Sequence, residues 1–320
     1  MNTFTTARAS RSATFLALAS ALVAGFLLPT AAATGPQREI PVDVSIIRVP
    51  VTVVGRRGGF ESGLKKDDFQ LSEDNVPQEI SGSMLQESGL SVVLLIDVSG
   101  SMGARLAEAK RAAVVFVRQV GPSDLVKVVQ FDQKTTTLID FSSDKAQLEG
   151  AIARASIGGA TALHNALWRA LADLNGRRDE DDKQQRHRAI IVLSDGNDTA
   201  SALTADEVLN RARSVDSLIY SLSLERENGE PVRDTASAVF LRQLAEQSGG
   251  QLLFPDITDL QRAYRQLADE LRHQYVLSYI SSNASPTPRW RSIRVQVRNK
   301  RGLRIRHRLG YYVGALKDSQ

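Results

Sequence analysis

The sequence predicts an α/β fold, a doubly wound and mostly parallel sheet inserted in a smaller β-domain built from N- and C-terminal strands. Three observations point there. Over residues 89–272, short apolar runs alternate with segments whose apolar residues recur at helical spacing, the signature of parallel strands covered by helices on both faces. Residues 90–97 read Leu-Ser-Val-Val-Leu-Leu-Ile-Asp, apolar on both faces as a central parallel strand must be. Residues 34–88 and 273–315 switch to the period of two that suits half-buried strands, and neither piece has enough strands for its own core. The economical arrangement is that these two flanks pair with each other.

Residues 42–54 are rich in Val and Ile and alternate loosely, giving a strand that residues 55–59 turn back. Residues 69–73 and 78–85 make a strand pair around a Glu73-Asp74-Asn75 turn. The central strand is followed by a helix over 104–120, a strand pair at 125–131 and 135–141, and helices at 145–155 and 162–174. The charged stretch 176–187 is expected to be a solvated loop. A buried strand at 190–193, a helix at 205–214, a strand at 218–224, a helix at 239–247, a short strand at 252–255 and a helix at 258–273 complete the α/β part. Strands at 275–280, 293–298 and 303–307 close the chain, the last two joined by a hairpin turn at residues 299–302.

Chemistry concentrates where strands hand over to helices. Asp97, Ser99 and Ser101 end the central apolar run, Asp195 follows the apolar run 189–193, and Thr161 follows Gly158-Gly159-Ala160 ahead of a helix. Singly, each has a plain reading as a helix cap or an Asp-Gly turn. Together they put two carboxylates and three hydroxyls along one rim, where doubly wound folds bind ligands. Magnesium takes oxygen ligands in near-octahedral geometry and retains water. Three neutral hydroxyls with only two carboxylates leave such an ion positive enough to attract an anion.

An Asp-x-Ser-x-Ser loop, a distant Thr and a later strand-ending Asp resemble the metal-ion-dependent adhesion site of von Willebrand factor type A domains, matched here at Asp97, Ser99, Ser101, Thr161 and Asp195. The likeness covers roughly residues 89–272. It implies that these five residues hold Mg2+, with Mn2+ a possible substitute and Ca2+ a poorer fit. It also implies that Thr161 switches between direct and water-mediated contact, and that an exposed Asp or Glu of a partner protein completes the coordination. The flanking stretches Gly63-Leu64-Lys65-Lys66-Asp67-Asp68-Phe69, Glu73-Asp74-Asn75-Val76-Pro77-Gln78, Gln274-Tyr275-Val276-Leu277-Ser278-Tyr279 and Gly310-Tyr311-Tyr312 look like the VWFA-related Acidobacterial domain family. That narrower resemblance implies architecture and export, and no biochemical role.

The expected function is therefore a non-enzymatic binding or adhesion module. One alternative is a structural envelope protein in which the same metal only stabilises the fold. A magnesium-dependent phosphatase of the haloacid-dehalogenase type could be imitated by Asp97 and Asp195-Gly196-Asn197-Asp198, but that chemistry needs a second Asp two residues after the nucleophile, where Ser99 stands. Gly158-Gly159 lacks the lysine of a phosphate-binding loop. His164, His187, His273 and His307 lack zinc-ligand spacing, and Ser194 lies in no nucleophile elbow.

Residues 1–33 read as a secretory signal: Arg8 and Arg11, an uncharged run from 13 to 28, then Pro29 and small residues, with cleavage expected after Ala33. A periplasmic, envelope-associated or secreted protein is expected, with no membrane-spanning helix once the signal is removed. Export permits disulfides, yet the chain has no cysteine, so packing alone must hold it, and thiolate chemistry and lipid anchoring through an N-terminal Cys are excluded. The net charge of +4 is unevenly spread: residues 272–320 carry eleven Lys/Arg against Asp318, and residues 34–271 are net acidic. No nucleic-acid partner is expected. Arg294, Arg298, Arg304, Arg306 and Arg308 fall on the polar side of the C-terminal alternation, a face expected to be solvated or to meet something anionic, either the acidic α/β part or an envelope surface.

Overall fold

The computed structural model describes residues 46–85, 89–195, 197–283, 285, 287, 289–298 and 300–313. The expected signal at 1–33 and the first residues of the 42–54 strand lie outside the described residues. Strand β1 (Ile46–Val54) turns Ile47, Val49, Val51 and Val53 toward a core. Strands β2 (Phe69–Glu73) and β3 (Val76–Gln78) form a tight hairpin whose two linking residues, Asp74 and Asn75, have φ of 48° and 66°, the left-handed pair such turns require. The strand expected over 78–85 is divided: its first residue belongs to β3, and β4 (Ile80–Leu85) leaves for another sheet. Pro77, which lacks an N–H, sits in β3 at the sheet edge, where it costs no ladder bond.

From Leu90 the chain winds strand and helix in turn. The order is β5 (Leu90–Asp97), α1 (Leu106–Gln119), β6 (Leu125–Phe131), β7 (Thr135–Ser142), α2 (Lys145–Ala153), α3 (Leu163–Gly176), α4 (Arg178–Lys183), β8 (His187–Ser194), α5 (Ala205–Ser214) and β9 (Leu218–Ser223). A two-residue ribbon of β10 (Arg226–Glu227) and β11 (Glu230–Pro231) follows, then α6 (Ala236–Ser248), β12 (Gln251–Leu253) and α7 (Leu260–Arg272). The strands make one sheet in the order β12-β9-β8-β5-β6-β7, parallel except for β7. Helices cover both faces. Val92, Leu94 and Ile96 pack with α1, α2 and α7, while Val93 and Leu95 pack with α3, α5 and α6, which explains why β5 had to be apolar throughout. Each such fully buried aliphatic side chain contributes about 1.5–3 kcal/mol through removal from water. The winding reverses direction between β5 and β8, so their carboxyl ends flank the crevice in which open α/β sheets bind ligands.

The charged stretch 176–187 corrects one expectation in part: most of it is exposed, as expected, but it holds helix α4 rather than a loop. One of its acids turns inward and another braces the strand: Ser91 Oγ donates to the buried Asp181 Oδ1 at 2.8 Å, and the buried Arg188 donates to the part-exposed Asp182 Oδ1 at 3.0 Å.

Beyond α7 come β13 (Tyr275–Ile280), β14 (Arg289–Val297), β15 (Arg304–His307) and β16 (Gly310–Val313). They pair with the N-terminal strands in two antiparallel sheets, β15-β1-β13-β4 and β16-β14-β2-β3. Both sheets contribute to one apolar cluster that includes Val49, Val51, Tyr275 and Leu277 from the first and Phe69, Leu71, Ile293 and Val295 from the second. The flanks therefore do combine, as a β-sandwich. A hairpin between β14 and β15 is not formed: β15 pairs with β1 and β14 with β2 and β16, so the chain passes from one sheet to the other between these two strands. Within the sandwich, the buried Glu73 meets Arg291 at 3.0 Å and accepts from the hydroxyls of Tyr279 and Tyr311 at 2.7 and 2.8 Å, which satisfies a charge that would otherwise be costly.

The outer face of the first sheet lies on the α/β layer through polar contacts. Buried Glu270 of α7 accepts from Tyr220 Oη at 2.8 Å and from Thr52 Oγ1 at 3.4 Å, and pairs with Arg306. Arg308 pairs with Asp216 at 2.7 Å, and these cationic neighbours overcome the effect of burial to hold the Asp216 carboxyl below its usual range. Two of the five C-terminal arginines are thus neutralised by the acidic α/β part instead of facing water. Arg294, Arg298 and Arg304 have no carboxylate partner among the described residues. No described helix is long and apolar enough to cross a membrane.

Candidate metal centre

The end of β5 places Asp97 in full burial beside the end of β8, since the two strands run parallel with Ile96 opposite Leu193. The Asp97 carboxylate is fixed from both sides: Ser99 N donates to Oδ1 at 2.8 Å and Ser194 Oγ to Oδ2 at 2.5 Å. Burial pushes its pKa up, against the pull of these hydrogen bonds. Residues 100–102 then form a single 3-10 turn that carries Ser101 outward. Ser99 Oγ and Ser101 Oγ are 3.1 Å apart, and Ser101 Oγ donates to Asp195 Oδ1 at 2.7 Å. Asp97, Ser99, Ser101 and Asp195, separated by almost a hundred residues of chain, are thus linked in one continuous set of hydrogen bonds, the first of them through the Ser99 amide.

Thr161 belongs to the loop between α2 and α3, and that loop is tied to the Asp97 loop by backbone bonds. Gly158 N donates to Val98 O at 2.7 Å and Gly100 N to Gly159 O at 2.9 Å. The close approach requires glycine at 158, where a Cβ would stand 1.9 Å from Asp132 Oδ2. Asp132, just past β6, braces the loop by accepting from Gly159 N at 2.9 Å. On the other side, Thr161 N donates to Thr199 Oγ1 at 3.0 Å and Thr161 O accepts from Thr199 N at 2.8 Å. Thr161 is buried, and its own hydroxyl makes no hydrogen bond among the described residues.

Several participants are not evident from pattern alone. Ser194 orients Asp97, Asp132 braces the Thr161 loop, and Arg105 forms an ion pair with Asp195. Asp198 is engaged structurally, accepting from His164 N at 2.8 Å and Ser201 Oγ at 2.5 Å. These bonds outweigh burial and hold its carboxyl below the usual range. His164 stacks its ring edge on Phe240, with centroids 4.6 Å apart. A sequence signal existed for Asp132, an acid ending a buried strand on the same rim; none existed for the Arg105 pairing.

The donor set fits a hard cation. Every candidate ligand atom is oxygen, the donor that hard cations take; no group of three or more His, Cys, Asp or Glu that could hold a metal occurs among the described residues, so the set relies on serine and threonine hydroxyls beside its two carboxylates. The charge also fits: two buried carboxylates face one another through serines with a single guanidinium, that of Arg105, to offset them.

Among solved structures, similarity extends to an aerotolerance-related membrane protein from Bacteroides fragilis (19% identity, 57% of this chain and 98% of that one, TM-score 0.45). A von Willebrand factor type A protein from Catenulispora acidiphila is also similar (12% identity, 85% and 74% covered, TM-score 0.48). So is proximal thread matrix protein 1 from the mussel byssus, in a form with a zinc-occupied MIDAS motif (17% identity, 62% and 49% covered, TM-score 0.46). No curated protein matches the chain. The family model of the von Willebrand factor type A domain matches residues 92–197, the stretch that contains Asp97, Ser99, Ser101, Thr161 and Asp195. Over residues 92–197, then, the chain carries a stretch that matches the von Willebrand factor type A domain.

Proposed function

We propose that the chain is an exported, non-catalytic module that binds a protein partner through a magnesium ion held by Asp97, Ser99, Ser101, Thr161 and Asp195. Manganese is the natural substitute and calcium the poorer fit, because a compact rim of hydroxyls and carboxylates favours a small octahedral ion. When bound, the ion supplies an electrophilic coordination position suited to one carboxylate oxygen of the partner's Asp or Glu. The observation that carries this reading is the hydrogen-bonded chain Asp97–Ser99–Ser101–Asp195, with a guanidinium drawn onto its outer end.

The chain's own residues set the conditions. Ser194 and the Ser99 amide fix the Asp97 carboxylate before any ion arrives, so little ordering is left to be done on binding. Asp132 and the glycines at 158 and 159 hold the Thr161 loop against the Asp97 loop. Phosphotransfer lacks its acid-base residue, since Ser99 stands two positions after Asp97 and the Asp198 carboxylate caps α3 instead.

The test is capture of partners from the native envelope with and without chelator. Partner binding should be lost on chelation and restored by magnesium or manganese; binding indifferent to chelator rejects the proposal. If Asp97→Ala lowers thermal stability while leaving every partner bound, the ion is structural instead.

A further inference from the structure

A cleft of about 540 Å³ opens where the edge strand β12, α6 and α7 meet the end of β1 and strand β15, on a part of the molecule that contributes no residue to the metal centre. Four arginines line it: Arg233, Arg242, Arg304 and Arg306. Their company is unequal. Arg306 is spent on Glu270 and on Gln251 Oε1, and Glu270 is further occupied by Tyr220 and Thr52. Arg233, Arg242 and Arg304 have no carboxylate partner among the described residues; Arg242 donates only to the Arg233 carbonyl, at 2.8 Å. The remaining acid of the cleft, Glu246, forms no ion pair among the described residues and cannot balance three guanidinium groups.

Like charges crowded in a concave wall raise the local positive potential, and that cost is recovered when an anion enters. Guanidinium forks suit carboxylate and phosphate oxygens in bidentate geometry. The cleft also has apolar walls, Phe60 and Phe254, with the Arg233 guanidinium stacked 4.6 Å from the Phe254 ring centroid. Its volume lies in the range of small-molecule sites, about 300–1,000 Å³, and is too small for a folded partner. The alternation of β15 explains the placement: Ile305 points into the sandwich core, so Arg304 and Arg306 must point the other way, toward the cleft.

We propose that this cleft is a binding site for a small organic anion that carries two oxyanion groups, phosphate or carboxylate, on an apolar or ring-bearing body. Arg242 and Arg304 grip the charged groups, and Phe254 with the Arg233 above it packs against the body. Glu246 opposes the anion and limits affinity.

Calorimetric titration of the full chain with pyrophosphate and with phenyl phosphate tests this. Both probes should bind, more weakly as salt rises, and Arg242→Gln and Arg304→Gln should each weaken pyrophosphate at least tenfold. Glu246→Gln should tighten it severalfold, an outcome that general damage to the fold cannot mimic. Phe254→Ala should weaken phenyl phosphate more than pyrophosphate. Because the arginine substitutions relieve repulsion, thermal stability without ligand should be kept or raised. Absence of binding by both probes overturns the site, as does equal binding by wild type and the arginine variants, or weaker binding by Glu246→Gln. Magnesium titration of the same variants should match wild type, which separates this site from the metal centre.

Discussion

Arg105 and Asp195 form an ion pair at the rim of the α/β sheet, the guanidinium taking Asp195 Oδ2 while Ser101 donates to Oδ1. The Asp195 side chain is wholly buried and Arg105 about one-third exposed, so the guanidinium reaches in from the solvent side.

If the proposed ion binds, Arg105 competes with it for the Asp195 carboxylate. Arg105→Gln should raise magnesium affinity about tenfold, equivalent to about 1.4 kcal/mol, in a calorimetric titration. Unchanged or weaker affinity would show that the guanidinium does not contest the Asp195 carboxylate.

Gly158 sets how closely the Thr161 loop approaches. In Gly158→Ala the new methyl group would fall on Asp132 Oδ2 and force that carboxylate off the Gly159 amide. The expected loss is about 1–3 kcal/mol of stability by urea unfolding, with weaker magnesium binding. A variant as stable and as metal-competent as wild type would mean that the loop has slack.

His187, buried at the start of β8, has its pKa pushed down to about 4 by desolvation, from an ordinary value of 6.5. Above pH 6.5 the imidazole is neutral in both folded and unfolded chains and its contribution is fully present. As pH falls from 6.5 toward 4, the unfolded chain takes up the proton first, so stability drains away by about 3 kcal/mol across that window. Melting temperature against pH should show the decline, and His187→Gln should flatten it. Equal slopes in the two proteins would exclude His187 as the cause.

Because β13 lies between β1 and β4, β15 pairs with β1, and β14 lies between β2 and β16, deleting residues 34–88 strips β13 and β15 of their neighbours and β14 of one of its two. Hydrogen exchange over residues 275–312 should become fast in that truncate. Full protection there would mean that the C-terminal strands stand alone.

The parts legible in the sequence are those set by local pattern. The unbroken apolar run of β5 could only be a doubly covered strand, and its end fixed Asp97; the same logic placed Asp195 after β8. Period-two alternation identified β13, β14 and β15 as strands but carries no information about partners, hence the hairpin that does not form and the strand split between β3 and β4. Charge density at 176–187 suggested solvent, because burial of Asp181 depends on Ser91, ninety residues away. The Arg105 pairing and the arginine cleft were invisible for the same reason. Both arise from residues that meet only once the sheet and the sandwich are assembled.

The central claim is that Asp97, Ser99, Ser101, Thr161 and Asp195 together bind a divalent cation, and the most direct test is magnesium titration of wild type beside Asp97→Asn, which keeps the size of the side chain and removes its charge. Wild type should bind one ion with a Kd that Asp97→Asn weakens at least a hundredfold, while both melt cooperatively. A wild-type protein that binds no magnesium or manganese, or an Asp97→Asn variant that binds as tightly as wild type, would contradict the account.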